Sequence, residues 1–132
     1  MTRLARSVSD DWFVAAVDRV ADAAQQACDA IRAGVRALET GREARLTGGS
    51  MVEVVQSLIG AGGRATRVGA ADAFREYERA IAAMRSKVVR ALVDEEGLTL
   101  TEASRRMRIS RQAASKLYGM SAEDMQEGPR GA

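Results

Sequence analysis

The chain has 132 residues, 46% of them apolar and 4% aromatic, with a formal net charge of +2, a size that suits one domain or a small domain with an extension. It has no histidine and a single cysteine, Cys28, which excludes an internal disulfide, a Cys/His zinc site and any catalytic arrangement that needs an imidazole. No apolar run nears the roughly 20 residues of a membrane span, and the N-terminal MTRLARSVSDDWF lacks the apolar stretch of a signal peptide.

Much of the apolar fraction is alanine, and a core built of Ala and Val buries little area per residue. That thinness is a first pointer to a second chain. The sole proline is Pro129, so no earlier helix is interrupted. Alanine and arginine favour helix, and clusters of β-branched and aromatic residues are missing. The expected class is all-α. Charge is unevenly spread: residues 1–97 carry fourteen basic and fourteen acidic groups, residues 98–119 carry five basic groups against Glu102 alone, and residues 120–132 carry three acids against Arg130.

A first long helix is predicted from about Asp10 to Leu38, with Ser9 as N-cap and Asp10 and Asp11 favouring its dipole. Phe13, Val17, Val20, Ala24, Ala27, Ile31, Gly34 and Leu38 alternate in steps of four and three, a heptad seam. The seam either packs within one chain or also joins two chains, and the thin core favours the second. Cys28, beside it, is expected to be a buried structural thiol rather than an oxidant sensor.

ETGREARLTGGS then predicts a loop or a frayed helix end. Ser50 and Glu53 have capping-box spacing, opening a short helix to Gly60 with Met51, Val55, Leu58 and Ile59 on one face. GAGGRATRVGA reads as a flexible connector whose Arg64 and Arg67 are solvated; no strand precedes it, so it is not a phosphate loop. A second long helix is predicted from Ala70 to Glu96, with Phe74, Tyr77, Ile81, Met84, Val88 and Ala91 on its seam. Gly97 is its expected C′ residue. Val89, Leu92 and Val93 lie off that seam, facing whatever follows.

TLTEASRRMRISRQAASKLY, from Thr99 to Tyr118, encodes two short capped helices. Thr99 and Glu102 repeat the capping-box spacing, Arg108-Ile109 is the turn, and Ser110 caps the second helix. Leu100, Ala103, Ser104 and Met107 face inward from the first helix, Ala114 and Leu117 from the second. Such a pair makes a helix-turn-helix. The segment from Leu98 to Tyr118 resembles the DNA-binding helix-turn-helix of bacterial transcription regulators. Ser104 matches the small residue at the helix crossing, and Met107 and Ile109 match the apolar residues flanking the turn. Two positions depart from that pattern: Arg108 stands where the family usually has Gly, and Ala114 where it usually has Val or Ile.

The resemblance implies a second helix lying in the major groove of double-stranded DNA. Ser110, Arg111, Gln112, Ser115 and Lys116 would meet base edges: Arg pairs bidentately with guanine, Gln with adenine. Thr99, Thr101, Arg105, Arg106, Arg108 and Tyr118 would contact phosphate. One such element reads half a site, so a homodimer is expected, with Phe13, Val17, Val20, Ala24, Ala27, Ile31 and Leu38 as its interface.

The full expectation is thus two long antiparallel helices with a short helix between them, followed by a helix-turn-helix. Residues 1–97 would be a dimerisation scaffold, 98–119 the DNA-binding segment and 120–132 a disordered acidic tail. The function expected is that of a cytoplasmic, nucleoid-associated transcriptional regulator, not an enzyme and without cofactor, metal or membrane partner. An architectural DNA-binding protein and a helical module that docks polymerase or another regulator are the alternatives. An unidentified apolar effector between the long helices stays open.

Overall fold

The structure, a computed structural model, describes residues 11–120. Among these the chain is all-helical, without strands: α1 spans Trp12–Leu46, α2 Met51–Gly60, α3 Gly63–Arg90, α4 Leu100–Met107 and α5 Arg111–Tyr118, and α3 passes into a π-helical turn at Ala91–Glu95. No helix among the described residues is long and apolar enough to cross a membrane. The expected Ser9 cap and most of the acidic tail lie outside them. The chain divides into two compact units, residues 22–77 and residues 11–21 with 78–120.

In the 22–77 unit, α1 runs on past the expected stop at Leu38, through the stretch predicted to be a loop or frayed end. Glu39, Glu43, Arg42, Ala44 and Arg45 are good helix formers, and Thr40 returns its hydroxyl to the Ala37 carbonyl at 2.6 Å. The decisive position is Gly41. A Cβ there would come within 2.7 Å of Leu58 Cδ2 and 3.3 Å of Val54 Cγ1, so the missing side chain is what lets α2 pack on α1. Ser50 caps α2 by accepting the Glu53 N–H at 3.2 Å, but Glu53 takes the Ser50 hydroxyl instead of returning to the Ser50 N–H, so the expected reciprocal box is half formed.

The inward face of α2 also differs from the sequence expectation. Val54 is buried and Leu58 half-buried, whereas Met51, Val55 and Ile59 stand 57%, 47% and 73% exposed. The face is set by the approach to Gly41, which a hydrophobicity pattern does not contain. Gly34 provides the contrast, because nothing lies within 4 Å of its Cβ position. Gly34→Ala is expected to stabilise the fold by about 1 kcal/mol through helix propensity. Gly41→Val is expected to destabilise it by about 2 kcal/mol through overpacking. Paired urea melts of the two variants check the opposite signs.

The face α1 buries is made of small residues: Ala23, Ala27, Ala37 and Gly41. Of the predicted seam, Ala27 is buried and Val20 and Ala24 are half-buried, while Phe13, Val17, Ile31 and Leu38 remain exposed. Cys28 is exposed rather than a buried thiol, because it sits one residue, about 100° of helix, beyond buried Ala27.

α3 starts at Gly63, inside the predicted connector, where the Thr66 N–H and hydroxyl both bond to the Gly62 carbonyl. Its buried residues are Ala80, Ala83, Ser86 and Val89; of the predicted seam, Tyr77, Ile81, Met84, Val88 and Ala91 are only half-buried. Small side chains again mark the close-packed face, and Phe74 is half exposed. In the other unit the Asp11 carboxylate caps α1, accepting the N–H groups of Phe13 and Val14 at 2.8 and 3.1 Å. The π-turn is closed by Glu96 N–H to the Ala91 carbonyl at 3.1 Å, and Gly97 follows at φ 74°, the left-handed conformation expected of a helix stop.

Candidate nucleic-acid interface

The two short helices at the C-terminal end are fixed locally by their caps. Thr99 accepts the Glu102 N–H at 3.1 Å and the Glu102 carboxylate accepts the Thr99 N–H at 3.2 Å, a complete capping box. The Thr99 backbone N–H foremost, then its hydroxyl and the guanidiniums of Arg106 and Arg105, hold the Glu102 carboxyl below the usual range. This folded-state value is lower than the unfolded one. The cap's contribution is therefore present above the ordinary carboxylate range and lost as pH falls through the lowered value. Ser110 caps α5 in the same way, accepting the Ala113 N–H at 3.0 Å.

Between the helices, Arg108 adopts φ 58°, ψ 44°, the left-handed conformation. Its N–H bonds to the Arg105 and Ser104 carbonyls, and Ile109 N–H to the Ser104 carbonyl. The turn therefore uses the geometry that glycine favours, with arginine in place. α4 packs on α5 and on the π-turn, burying Ala103, Ser104, Ala114 and Leu117. The Ser104 hydroxyl is satisfied by the Thr101 carbonyl at 2.7 Å, which lets a polar residue sit in that contact.

A second set of bonds grips α5 from behind. Ser86, fully buried on α3, donates its hydroxyl to the Leu117 carbonyl at 2.7 Å. Arg90 donates from Nε to the Tyr118 carbonyl at 3.1 Å and from Nη2 to the Met120 carbonyl. The Leu117 and Tyr118 carbonyls lie in the last turn of α5, where intrahelical donors run out; Leu117 also accepts the Met120 N–H at 3.3 Å, and the Arg90 charge suits the negative end of the dipole. Tyr118 donates its hydroxyl to Asp94 Oδ1 at 2.7 Å, and that bond raises the phenol's pKa. The proton a phosphate would accept is thus used inside the chain, which departs from the expected phosphate role of Tyr118.

Residues expected at bases emerge on one short helix. Ser110, Arg111, Gln112, Ser115 and Lys116 are all exposed, as are Arg105, Arg106 and Arg108 on α4 and the turn. Thr99 is exposed but committed to its cap; Thr101 is half-buried and accepts a hydrogen bond from Arg111 Nε at 3.1 Å. Sequence reasoning missed Ser86, Arg90 and Asp94. A serine in an otherwise apolar step of three (Ala80, Ala83, Ser86, Val89) was the one available signal.

No family model, curated protein or solved structure matches this chain. What the site does must therefore come from its chemistry. It offers cations at the start and outer side of α5 and along α4, mounted on a back anchored to α3. Among the described residues no cluster of His, Cys, Asp or Glu is arranged to hold a metal ion.

Arg108 allows a test with two readouts of opposite sign. A non-glycine residue in the left-handed region costs roughly 1 kcal/mol. Arg108→Gly is therefore expected to raise stability by about 0.5–1 kcal/mol. It also removes one exposed cation, and on a surface that binds duplex DNA the slope of log affinity against log salt would shrink by about 0.9. Thermal melts and a salt titration of duplex binding measure the two.

Proposed function

We propose that the protein is a sequence-specific DNA-binding transcriptional regulator that acts as a homodimer and reads the major groove with α5. The observation that carries this is the exposed row Arg111, Gln112, Ser115 and Lys116 on a short helix whose opposite face is buried and whose C-terminal carbonyls are tied to Ser86 and Arg90. In a helix-turn-helix, the N-terminal part of the second helix meets base edges while the first helix crosses the backbone. Arg111 and Gln112 lie in that N-terminal part. Arg105, Arg106 and Arg108 supply sequence-independent attraction to phosphate.

The homodimer is supported by what the chain leaves uncovered. Ile31, Val35 and Leu38 on α1 and Met51, Val52, Val55 and Ile59 on α2 are each between 47% and 73% exposed. So much exposed aliphatic surface on a small helical unit marks an interaction face. Sedimentation at micromolar concentration, with and without duplex, checks this: a dimer mass is expected, and a single-chain mass in both conditions removes the homodimer. Competition between a selected duplex and random DNA at one salt concentration separates a regulator from an architectural protein. A regulator prefers its site by roughly 10³-fold or more, whereas equal competition would favour the architectural alternative.

A further inference from the structure

Arg111 is the first residue of α5, and its Nε donates to Thr101 Oγ1, ten residues earlier on α4, at 3.1 Å. Among the described residues its two Nη groups have no protein partner, and the side chain is exposed. An arginine fork can meet guanine O6 and N7 side-on, through Nε and one Nη, or end-on, through both Nη groups. Occupation of Nε by Thr101 leaves the end-on fork. Thr101 is itself constrained: it is β-branched, half-buried in the first turn of α4, and its carbonyl accepts the Ser104 hydroxyl at 2.7 Å.

We infer that Thr101 is a positioning residue that presents the two Nη groups of Arg111, end-on, to a guanine in the major groove. The inference rests on the DNA-binding reading and replaces the phosphate role expected of Thr101. A free arginine side chain samples many rotamers and must be ordered on binding. A threonine acceptor on the neighbouring helix orders it beforehand and fixes the plane of the guanidinium, so the gain falls on one base position. Gln112, Ser115 and Lys116 are not held by Thr101, and their base preferences do not depend on it.

Thr101→Val keeps the branched shape and removes the acceptor; Thr101→Ser keeps the acceptor. Duplexes selected from a random library by the wild type, by Arg111→Ala and by both Thr101 variants locate the base position that Arg111 reads. Thr101→Val should lower the guanine preference at that position by about 10-fold, a loss within the range of one bidentate contact. It should leave other positions and the salt slope unchanged, and Thr101→Ser should retain most of the preference. In the free protein, the Arg111 Nε–H resonance should exchange faster with solvent in Thr101→Val than in the wild type and Thr101→Ser. Far-UV melting confirms that the variants are folded.

An unchanged guanine preference in Thr101→Val overturns the positioning role. A uniform affinity loss with a smaller salt slope overturns it in favour of a phosphate contact. A wild type that selects no sequence removes the DNA-binding reading itself, a failure distinct from the other two, and the inference with it.

Discussion

Arg111→Ala combined with Gln112→Ala is expected to lower affinity for a selected duplex by roughly 10²- to 10³-fold while leaving the melting temperature nearly unchanged. Each well-formed bidentate pair, arginine on guanine or glutamine on adenine, discriminates by about 1–3 kcal/mol. Losing both removes most of what separates the correct site from bulk DNA. Both side chains are exposed. The Ser110 cap and the buried Ala114 and Leu117 that hold α5 in place stay intact. Alanine is also the better helix former, so folding is within about 0.5 kcal/mol of wild type. Arg105, Arg106, Arg108 and Lys116 remain, so weak salt-sensitive binding to any duplex should survive. Anisotropy titrations on the selected duplex and a scrambled one, at one salt concentration, measure the two separately. Unchanged affinity for the selected duplex would strip α5 of its role.

The second large effect is on packing. Ala114→Ile is expected to destabilise the protein by about 2–3 kcal/mol, because overpacking a filled contact forces neighbouring side chains and backbone apart. Ala114 and Ala103 both have zero exposure, on α5 and α4 respectively. With Ala114 at zero exposure, a larger aliphatic residue there is expected to harm. Displacing α5 also strains the bonds from Ser86 and Arg90 to its last carbonyls, so specific DNA binding should fall although no base-facing residue has changed. A melting temperature lower by about 10 °C is the corresponding shift. Ala113→Ile, at a half-buried position on the same helix, is the milder comparison.

What the sequence made legible was local. The Thr99–Glu102 box, the Ser110 cap, the turn at Arg108 and the stop at Gly97 each depend on atoms within a few residues of one another, and each is found where its spacing puts it. Faces and long-range ties were less legible. The apolar pattern chose a seam from Phe13 to Leu38 on α1 and Met51, Val55, Leu58 and Ile59 on α2; of these only Ala27 is fully buried, and the rest of the buried set is Ala23, Ala37, Gly41 and Val54. In an alanine-rich chain, close approach is set by where side chains are small, so the large apolar residues are left exposed. α1 extends through Leu46 across Gly41, a helix-weakening residue whose place is explained only by the close approach of Leu58 and Val54. Ser86 and Arg90 reach carbonyls about 30 residues away in sequence, and no local pattern reports such a tie. Exposed Cys28 follows the same lesson, being one step off a face drawn by alanines.

The central claim is that α5 is presented twice, by a homodimer, to the major groove of a particular DNA sequence. Selection of bound duplexes from a fully random library, followed by sequencing, addresses it most directly. The expected product is an inverted repeat with half-site centres about 34 Å, or a multiple of one helical turn, apart. A bound pool indistinguishable from the input would contradict the account.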